Sequence, residues 1–209
     1  SAVRDSSPQV VVDFTVPGSA VENANIILDS GACPVIGTTG FSSEDIEVLQ
    51  EKAAGLGRGG LIAPNFAIGA VLLMKFAQQA ARYLPDVEVI ELHHEQKVDA
   101  PSGTSIKTIE LFRESLDAEG SASAAERPEE TETVTGARGG SYLGIPVHSV
   151  RLPGFVAHEE VLFGGTGQIL SIRHDSISRT SFMPGVLLAI SKVTKLNQLY
   201  YGLEQVMDL

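Results

Sequence analysis

Short apolar runs alternate with helix-like segments through the first third of the chain, and this alternation limits the fold more than any other feature. The apolar runs cover residues 10–14, 34–37 and 60–63. A helical segment that Gly31 ends separates the first two runs, and a second helix opens with Ser42 and the acidic residues after it. Because a strand-helix-strand order of this kind forms parallel sheets with right-handed crossovers, we predict an open α/β sheet here.

The remainder of the chain predicts a second lobe that contains a mixed sheet. Residues 67–83 show the helical spacing of apolar side chains, and a strand over 87–92 precedes a helix that opens near Thr104. Three later apolar stretches, separated by turns that contain Gly or Pro, predict antiparallel strands over 147–152, 160–163 and 168–174. A last helix over 184–196 is compatible with a return to the first lobe.

The predicted fold is therefore α/β with two lobes. We expect a parallel-sheet domain in residues 1–64 plus 177–209, and an α+β domain with a mixed sheet in residues 65–176. Residues 117–135 are rich in Glu, Ala, Ser and Thr, and this composition predicts a mobile loop.

The composition is that of an acidic globular protein, and it excludes several classes of function. Of the 209 residues, 43% are hydrophobic and 20% are charged, which is ordinary for a globular chain. The net charge of −11 argues against nucleic acid or a membrane surface as the main partner. Cys33 is the only cysteine, which excludes an internal disulfide or a cysteine zinc cluster. We expect it to be a small buried residue in a cytoplasmic protein.

The fourteen residues from Glu91 to Thr104 combine groups that transfer protons with groups that bind anions. His93 and His94 stand where the predicted strand ends, and Lys97 follows His93 by four residues, so a loop could fold its ammonium back beside an imidazole. Histidine acts as a general acid near neutral pH, and lysine offers a charge for a carboxylate or, if desolvated, a proton. Taken alone, the two histidines are equally compatible with surface or hydrogen-bonded core positions.

The turn Ser102-Gly103-Thr104 opens the helix that follows and predicts an anion-binding site. A helix N-terminus presents unpaired backbone N–H groups that can hold a carboxylate or a phosphate. Together with the nearby cationic groups, this turn suggests a small anionic substrate. Adjacent histidines on a strand point to opposite faces, so we do not expect His93 and His94 to bind one metal ion.

Two further turns follow adjacent strands of the predicted parallel sheet. Gly37-Thr38-Thr39-Gly40 closes the second strand, and Ala63-Pro64-Asn65-Phe66 follows the third. Open α/β sheets bind ligands at the carboxyl ends of their strands, so these turns are candidates for a ligand site. Each turn by itself is also compatible with a plain connection.

Other glycines, histidines and arginines are less informative. The glycine-rich run over 55–60 follows a helix and precedes a strand, which is the wrong order for a dinucleotide-binding turn and predicts a loop. The run over 164–167 predicts a hairpin turn. We expect structural roles for three further histidines, and solvated surface roles rather than ligand contacts for two arginines: His148, His158, His174, Arg138 and Arg151.

The segment His93-His-x-x-Lys-x-Asp-Ala-Pro-Ser-Gly-Thr104 resembles the signature of the dihydrodipicolinate reductase family. Supporting segments stand in the same order as in the family. They are Asp13-Phe-Thr-Val-Pro17, Gly37 to Gly40, Ala63-Pro-Asn-Phe-Ala-Ile-Gly69 and Gly144-Ile-Pro-Val-His148. The resemblance extends over essentially the whole chain.

The resemblance implies a homotetrameric reductase with a Rossmann-like domain and a second domain for substrate binding and oligomerisation. Its reaction would be the reduction of a cyclic imine dicarboxylate, 4-hydroxy-tetrahydrodipicolinate, with NADH or NADPH in lysine and diaminopimelate biosynthesis. His93 resembles the acid/base residue of the family and Lys97 its partnering proton donor. The substrate carboxylates would be held by His94, Gly103 and Thr104. The nicotinamide side of the cofactor would be lined by Gly37, Thr38, Thr39, Ala63, Pro64, Asn65 and Phe66.

The chain departs from the family pattern at its start. The family opens with a strand, a Gly-rich turn and a helix that seat the cofactor pyrophosphate, a segment of roughly sixty residues that is not found before Ser1. We therefore expect the 209-residue chain to bind NAD(P)H poorly, and the intact gene product to be a reductase.

Two other functions remain open from the residues. One is another NAD(P) oxidoreductase, such as a semialdehyde or homoserine dehydrogenase. The former would need a catalytic cysteine, for which Cys33 is poorly placed, and the His-His-x-x-Lys motif fits neither enzyme. The other is a non-catalytic, cofactor-deficient module that binds dicarboxylates or mediates oligomerisation.

Overall fold

The computed structural model of the chain describes residues 2–118 and 131–208. Contacts between Cα atoms divide it into two compact units, one formed by Ser1–Ile68 with Thr180–Leu209 and the other by Gly69–Arg179. The predicted α/β fold with one parallel and one mixed sheet is confirmed. The assignment of dinucleotide binding and substrate binding to separate domains stays a prediction. Of the loop expected over 117–135, residues 119–130 lie outside the described residues.

Every helix and strand that the sequence predicts is present, and short elements are added. The helices are α1 (Ala2–Ser6), α2 (Pro17–Asp29), α3 (Ser43–Gly55), α4 (Ile68–Ala81), α5 (Gly103–Ala118) and α6 (Met183–Val193). The strands are β1 (Val10–Asp13), β2 (Cys33–Ile36), β3 (Gly60–Ile62), β4 (Asp86–His93), β5 (Gly140–Tyr142), β6 (Ile145–Arg151), β7 (Ala157–Gly165), β8 (Gln168–Ser176) and β9 (Leu199–Tyr201). Short 3₁₀ helices cover Arg179–Phe182 and Leu203–Val206.

Local sequence signals set the helix boundaries of the first unit. Pro17 stands in the first turn of α2, where its missing N–H costs nothing. Gly31, with φ of 85°, follows the C-cap of α2 in the left-handed conformation that ends helices. A capping box opens α3, because the Ser42 hydroxyl accepts the Asp45 N–H at 3.1 Å and the Asp45 carboxylate accepts the Ser42 N–H at 2.9 Å.

The first unit contains a four-stranded parallel sheet in the order β1-β2-β3-β9. Val12 pairs with Val35, and Ile36 pairs with Ile62. The core beside these strands is formed by buried side chains that include Ala24, Leu28, Leu49 and Leu199. Because the strands are parallel, the carboxyl ends of β1, β2 and β3 share one edge, which is the usual ligand-binding edge of such sheets.

The second unit contains a five-stranded mixed sheet in the order β5-β6-β4-β7-β8. β7 pairs antiparallel with both β4 and β8, as the sequence predicts. β6 pairs antiparallel with β5 and parallel with β4, so the prediction of antiparallel strands holds for its pairing with β5 and not for its pairing with β4. Parallel strands need a long crossover, and α5 together with the β5–β6 hairpin supplies one.

Helices α4 and α5 pack on one face of this mixed sheet. Their buried side chains meet those of β4, β6 and β7 in one core that includes Leu73, Ala77, Val87, Val89, Ile109, Val147 and Val161. The rings of Phe112 and Phe163 pack edge to face within it, with centroids 5.9 Å apart. This core fixes the direction of β4, whose last residue is His93.

Candidate active site

The inward face of β4 carries apolar side chains at its start and ionisable ones at its end. Side chains alternate along a strand, so Val87, Val89, Glu91 and His93 share one face. The two valines belong to the core, and Glu91 continues the same face with 0% of its surface exposed. A carboxyl group in such a position needs partners, because an unpaired buried charge is very unfavourable.

Glu91 finds these partners in His93 and Arg151. Its Oε2 is hydrogen-bonded to Nδ1 of His93 and accepts a hydrogen bond from Nη1 of Arg151 at 2.9 Å. Its Oε1 accepts a hydrogen bond from Nη2 of Arg151 at 2.8 Å. Burial acts to raise the pKa of Glu91, but hydrogen bonds from His93, Arg151 and Ser149 outweigh it and lower the pKa from 4.5 to about 2. The carboxyl group is therefore ionised at neutral pH.

Arg151 is the residue of this cluster that the sequence did not identify. The expected solvated surface role is wrong, because its side chain is 19% exposed and is ion-paired with buried Glu91. The parallel register of β4 and β6 places Arg151 beside His93, although Arg151 and Glu91 are 60 residues apart in sequence. Glu91 itself was the available signal, because an acidic residue that continues an apolar strand face implies a cationic partner.

The loop after β4 is held by Lys97, Asp99 and Arg151. Nζ of Lys97 donates to both carboxylate oxygens of Asp99, at 2.7 and 2.8 Å, and Nη2 of Arg151 donates to the Asp99 carbonyl at 2.6 Å. The hydrogen bond from Lys97 holds the pKa of Asp99 below its ordinary value. Within the described residues, the ammonium of Lys97 is thus hydrogen-bonded to Asp99 and not to His93. A second carboxylate placed here would compete with Asp99 for this ammonium.

The N-terminus of α5 is capped by a buried serine. Ser102 Oγ accepts the Ser105 N–H at 3.2 Å, and the Ser102 carbonyl accepts the Ile106 N–H at 3.0 Å. A Cβ placed on Gly103 would meet no atom within 4 Å, so a ligand can approach the backbone there closely. Thr104 lies in the same first turn.

His94 follows the end of β4. Its carbonyl accepts the Lys97 N–H at 3.2 Å, which forms the turn that leads into the loop. His93 and His94 therefore lie at the junction of strand and loop, as the sequence predicts.

A second buried carboxyl group lies opposite Glu91 on the neighbouring strand. Glu159 of β7 is the register partner of Glu91, and its Oε2 accepts the Ser105 hydroxyl at 2.7 Å. Burial raises the pKa of Glu159 against the hydrogen bonds from Thr108 and Ser105, and the charge of Glu91 raises it further. The pKa values of the two adjacent carboxyl groups are thus shifted in opposite directions, down for Glu91 and up for Glu159.

In the first unit, the strand ends border a pocket of ≈ 210 Å³. Its lining comes from the turns after β1 and β2 and consists of Phe14, Thr15, Pro17, Gly37, Thr38 and Thr39. A Cβ on Gly37 would overlap the ring of Phe14, so this approach of backbone to ring requires glycine. The predicted residues Gly37, Thr38 and Thr39 are therefore brought together at one pocket.

Asp13, the last residue of β1, joins these two turns. Its carboxylate accepts the N–H and the hydroxyl of Thr15, both at 2.8 Å, the amide of Asn23 at 2.7 Å and the hydroxyl of Thr38 at 2.9 Å. Burial acts to raise the pKa of Asp13, but these hydrogen bonds outweigh it and lower the pKa. The resulting network fixes the positions of Thr15 and Thr38 at the pocket.

The predicted residues after β3 are placed less uniformly. Ala63 and Phe66 are buried, and Pro64 is exposed. The side-chain oxygen of Asn65 accepts the Ala67 N–H at 2.8 Å, so Asn65 serves the turn itself. Phe66 reaches the pocket through Phe14, since the centroids of their rings are 5.6 Å apart.

The remaining histidines of the second unit have local partners. His148 Nε2 pairs with Glu88 at 2.9 Å, His158 Nδ1 pairs with Asp175 at 2.6 Å, and His174 packs against Gly69. Over residues 2–118 and 131–208, no group of three or more His, Cys, Asp or Glu side chains is arranged to hold a metal ion. In the same ranges, no helix has the length and apolar character needed to cross a bilayer.

Two models of one protein family match successive parts of the chain and together cover nearly all of it. The model described as dihydrodipicolinate reductase, N-terminus, matches residues 1–66. The model described as dihydrodipicolinate reductase, C-terminus, matches residues 69–207.

Similar proteins are known individually as well. The 4-hydroxy-tetrahydrodipicolinate reductase of Halalkalibacterium halodurans is 56% identical over 199 residues, which cover 95% of this chain and 74% of that protein. The enzyme of the same name from Geobacillus thermodenitrificans is 56% identical over 201 residues, covering 96% and 74%. Among solved structures, the dipicolinate-bound dihydrodipicolinate reductase from Paenisporosarcina sp. TG-14 has a TM-score of 0.88 and 48% identity, over 98% of this chain and 76% of that one.

Proposed function

The chain belongs to the dihydrodipicolinate reductase family, and we propose that it catalyses the NAD(P)H-dependent reduction of 4-hydroxy-tetrahydrodipicolinate to tetrahydrodipicolinate in lysine and diaminopimelate biosynthesis. The observation that carries this proposal is the identity of 50–56% to reductases of this name across nearly the whole chain. A cofactor-deficient binding or oligomerisation module is not favoured, because the relatives are named as enzymes.

We assign substrate binding to His94, Gly103 and Thr104. A dicarboxylate carries two negative charges at neutral pH, and the first turn of a 16-residue helix offers oriented backbone dipoles to one of them. Lys97 supplies a full positive charge nearby in the chain, and its present partner Asp99 is a carboxylate that a substrate carboxylate can replace. Substrate binding would therefore release the ammonium of Lys97 from Asp99.

We assign proton handling to His93 and Lys97. The imidazole of His93 is held at Nδ1 by Glu91, and its side chain is 12% exposed, so its Nε2 is the ring atom left to give or take a proton. Lys97 carries a proton that it can donate once the substrate has drawn it from Asp99. A dihydronicotinamide, when bound, supplies the hydride that this proton balances.

The pocket of the first unit fits the nicotinamide part of the cofactor. Its lining combines an aromatic ring at Phe14, two threonine hydroxyls and a glycine backbone that allows close approach, which suits a flat ring that carries an amide. Gly37, Thr38 and Thr39 would line this side of the cofactor, together with Ala63 to Phe66. Either NADH or NADPH satisfies these residues, because the two cofactors share the same nicotinamide.

We further propose that the protein is a cytoplasmic homotetramer that acts on a small dicarboxylate imine. Apolar side chains on the edge strand β8 and just after it support self-association, since Ile169 is 78% and Ile177 is 83% exposed. Sedimentation of the full-length gene product should give the mass of four chains, and a monomer mass would contradict the tetramer.

The test of the activity is reduction of 4-hydroxy-tetrahydrodipicolinate by the full-length gene product. We expect oxidation of NADH or NADPH that depends on this substrate, and competitive inhibition by dipicolinate, which the Paenisporosarcina relative binds. Both cofactors should be measured in parallel. Absence of substrate-dependent oxidation with either cofactor would contradict the proposed function.

A further inference from the structure

Glu91 contacts the imidazole to which proton handling is assigned, and it also binds the arginine beside it. The Glu91 carboxylate is hydrogen-bonded to Nδ1 of His93. It also accepts hydrogen bonds from both terminal nitrogens of Arg151, at 2.9 and 2.8 Å. The side chain is 0% exposed, so these hydrogen bonds are made without competition from water.

We propose that Glu91 is a positioning residue of the reductase reaction, which holds His93 in the tautomer protonated at Nδ1 so that Nε2 alone exchanges the proton with the substrate. This inference rests on the proposed function, since it concerns the same imidazole. It adds that proton transfer by His93 depends on a buried carboxylate two residues before it in the chain.

The hydrogen-bond chemistry of the pair fixes the tautomer. An ionised carboxylate only accepts hydrogen bonds, so the proton of the contact must be on Nδ1 of His93. Nε2 of His93 takes part in no hydrogen bond with residues in the described part of the chain.

Arg151 keeps Glu91 in place. Because its two nitrogens bind both carboxylate oxygens, rotation of the carboxylate away from His93 would break a bidentate ion pair. The same guanidinium donates to the carbonyl of Asp99 at 2.6 Å, and Asp99 binds Lys97. One network thus positions both residues to which proton handling is assigned.

The charged groups around Glu91 come from its own strand and from the two strands that flank it. β4 supplies His93, β6 supplies Arg151 beside Ser149, and β7 supplies Glu159. From α5, the uncharged side chains of Ser105 and Thr108 bind Glu159. Glu91 is the carboxyl group that contacts Nδ1 of His93, and Arg151 is the cation that balances its charge.

Glu88 provides a matched comparison on the same strand. It stands three residues before Glu91 and therefore on the opposite face of β4. It also pairs with one arginine and one histidine, Arg138 at 2.6 Å and His148 at 2.9 Å. Neither of these partners belongs to the proposed site. Glu88→Gln therefore removes a carboxylate paired with an arginine and a histidine that take no part in the proposed reaction.

The kinetic test compares Glu91→Gln with Glu88→Gln in the full-length gene product. For Glu91→Gln we expect kcat to fall by about 100-fold or more with KM for the substrate changed less than about 3-fold, as removal of a carboxylate that orients a histidine does elsewhere. Glu88→Gln should leave kcat and KM unchanged. A loss of kcat below about 10-fold, or an equal effect of Glu88→Gln, would overturn the proposal.

A measurement on the unchanged protein keeps the proposal testable if Glu91→Gln does not fold. In ¹⁵N spectra of histidine-labelled full-length protein, the signals of His93, identified by their loss in His93→Gln, should show Nδ1 protonated in the neutral ring. The opposite tautomer would overturn the proposal even if the protein is an active reductase. A protein without reductase activity but with this tautomer would contradict the proposed function and leave the positioning by Glu91 intact.

Discussion

Glu91 and Glu159 face each other across β4 and β7, but their surroundings shift their pKa values in opposite directions. Glu91 is paired with Arg151 and His93, whereas Glu159 is paired with hydroxyl groups and lies beside the charge of Glu91. Two like charges at such a position would repel in a medium that screens them poorly. The opposite directions of the two pKa shifts therefore follow from the placement of Arg151, which pairs with Glu91.

The lowered pKa of Glu91 predicts a loss of stability in acid. The carboxyl has a pKa of about 2 in the folded chain and 4.5 as its ordinary value, so its ionised form stabilises the fold above pH 4.5. This contribution, on the order of 3 kcal/mol, is lost as the pH falls from 4.5 toward 2. Urea unfolding of the protein and of Glu91→Gln should show a difference in unfolding free energy that shrinks over this range. A difference that is constant with pH would contradict the assignment.

The raised pKa of Glu159 predicts the opposite pH dependence. A group protonated when folded and ionised when unfolded makes the folded state less stable as pH rises, by about 1.4 kcal/mol per pH unit. This window begins at the ordinary pKa of 4.5 and ends at the raised pKa of the folded chain. Glu159→Gln keeps the neutral shape without the titration, so it should gain stability relative to the unchanged protein as pH rises above 4.5. Melting temperatures measured across this range would show no such gain if Glu159 is ionised in the fold.

The sequence identified some residues of this cluster and not others, for a physical reason. His93, His94 and Lys97 stand in one short segment, so their proximity follows from chain connectivity. Arg151 approaches Glu91 only through the parallel pairing of β4 with β6, and no local pattern encodes that pairing. The alternation Val87, Val89, Glu91 was readable, and it would have predicted a buried acid in need of a cation.

At the level of elements, the parallel sheet of the first unit was predictable because its strands are separated by well-marked helices. Gly31 follows the end of α2 and the Ser42 capping box begins α3, so local signals mark both boundaries. The three-residue strands β5 and β9 were missed, because so short a run carries no periodicity and neither lies between two well-marked helices, as the equally short β3 does. The parallel pairing of β6 with β4 was also not predicted, since it depends on the crossover through α5.

The turn after β2 predicts a specific effect of adding one methyl group. Gly37→Ala places a Cβ against the ring of Phe14, which must move and reshape the pocket beside Thr38 and Thr39. We expect KM for NADH or NADPH to rise about 10-fold, equivalent to about 1.4 kcal/mol of binding, with a smaller change in KM for the substrate. Steady-state kinetics of the full-length gene product measure both values.

Gly55→Ala is the matched control for this change. Gly55 ends α3, and a Cβ there would meet no atom within 4 Å. The control should leave both KM values unchanged. Equal effects of the two substitutions, or no effect of Gly37→Ala, would remove the turn after β2 from the nicotinamide site.

For the whole molecule, the proposed reaction divides its tasks between the two units. The residues assigned to the nicotinamide belong to the first unit, and those assigned to proton handling and substrate carboxylates belong to the second. The family models follow nearly the same division, with matches over residues 1–66 and 69–207. Substitutions at the assigned residues of the first unit should therefore change KM for the cofactor. Those in the second unit should change kcat or KM for the substrate.

The most direct measurement is the pair of kinetic constants of His93→Gln and His94→Gln in the full-length gene product, with 4-hydroxy-tetrahydrodipicolinate as substrate. The account predicts that His93→Gln lowers kcat by about 100-fold with little change in KM, because it removes the group that moves the proton. It predicts that His94→Gln chiefly raises KM for the substrate, because it removes a contact to a carboxylate. Full turnover by His93→Gln, or a loss of kcat that is the same for both adjacent histidines, would contradict the account.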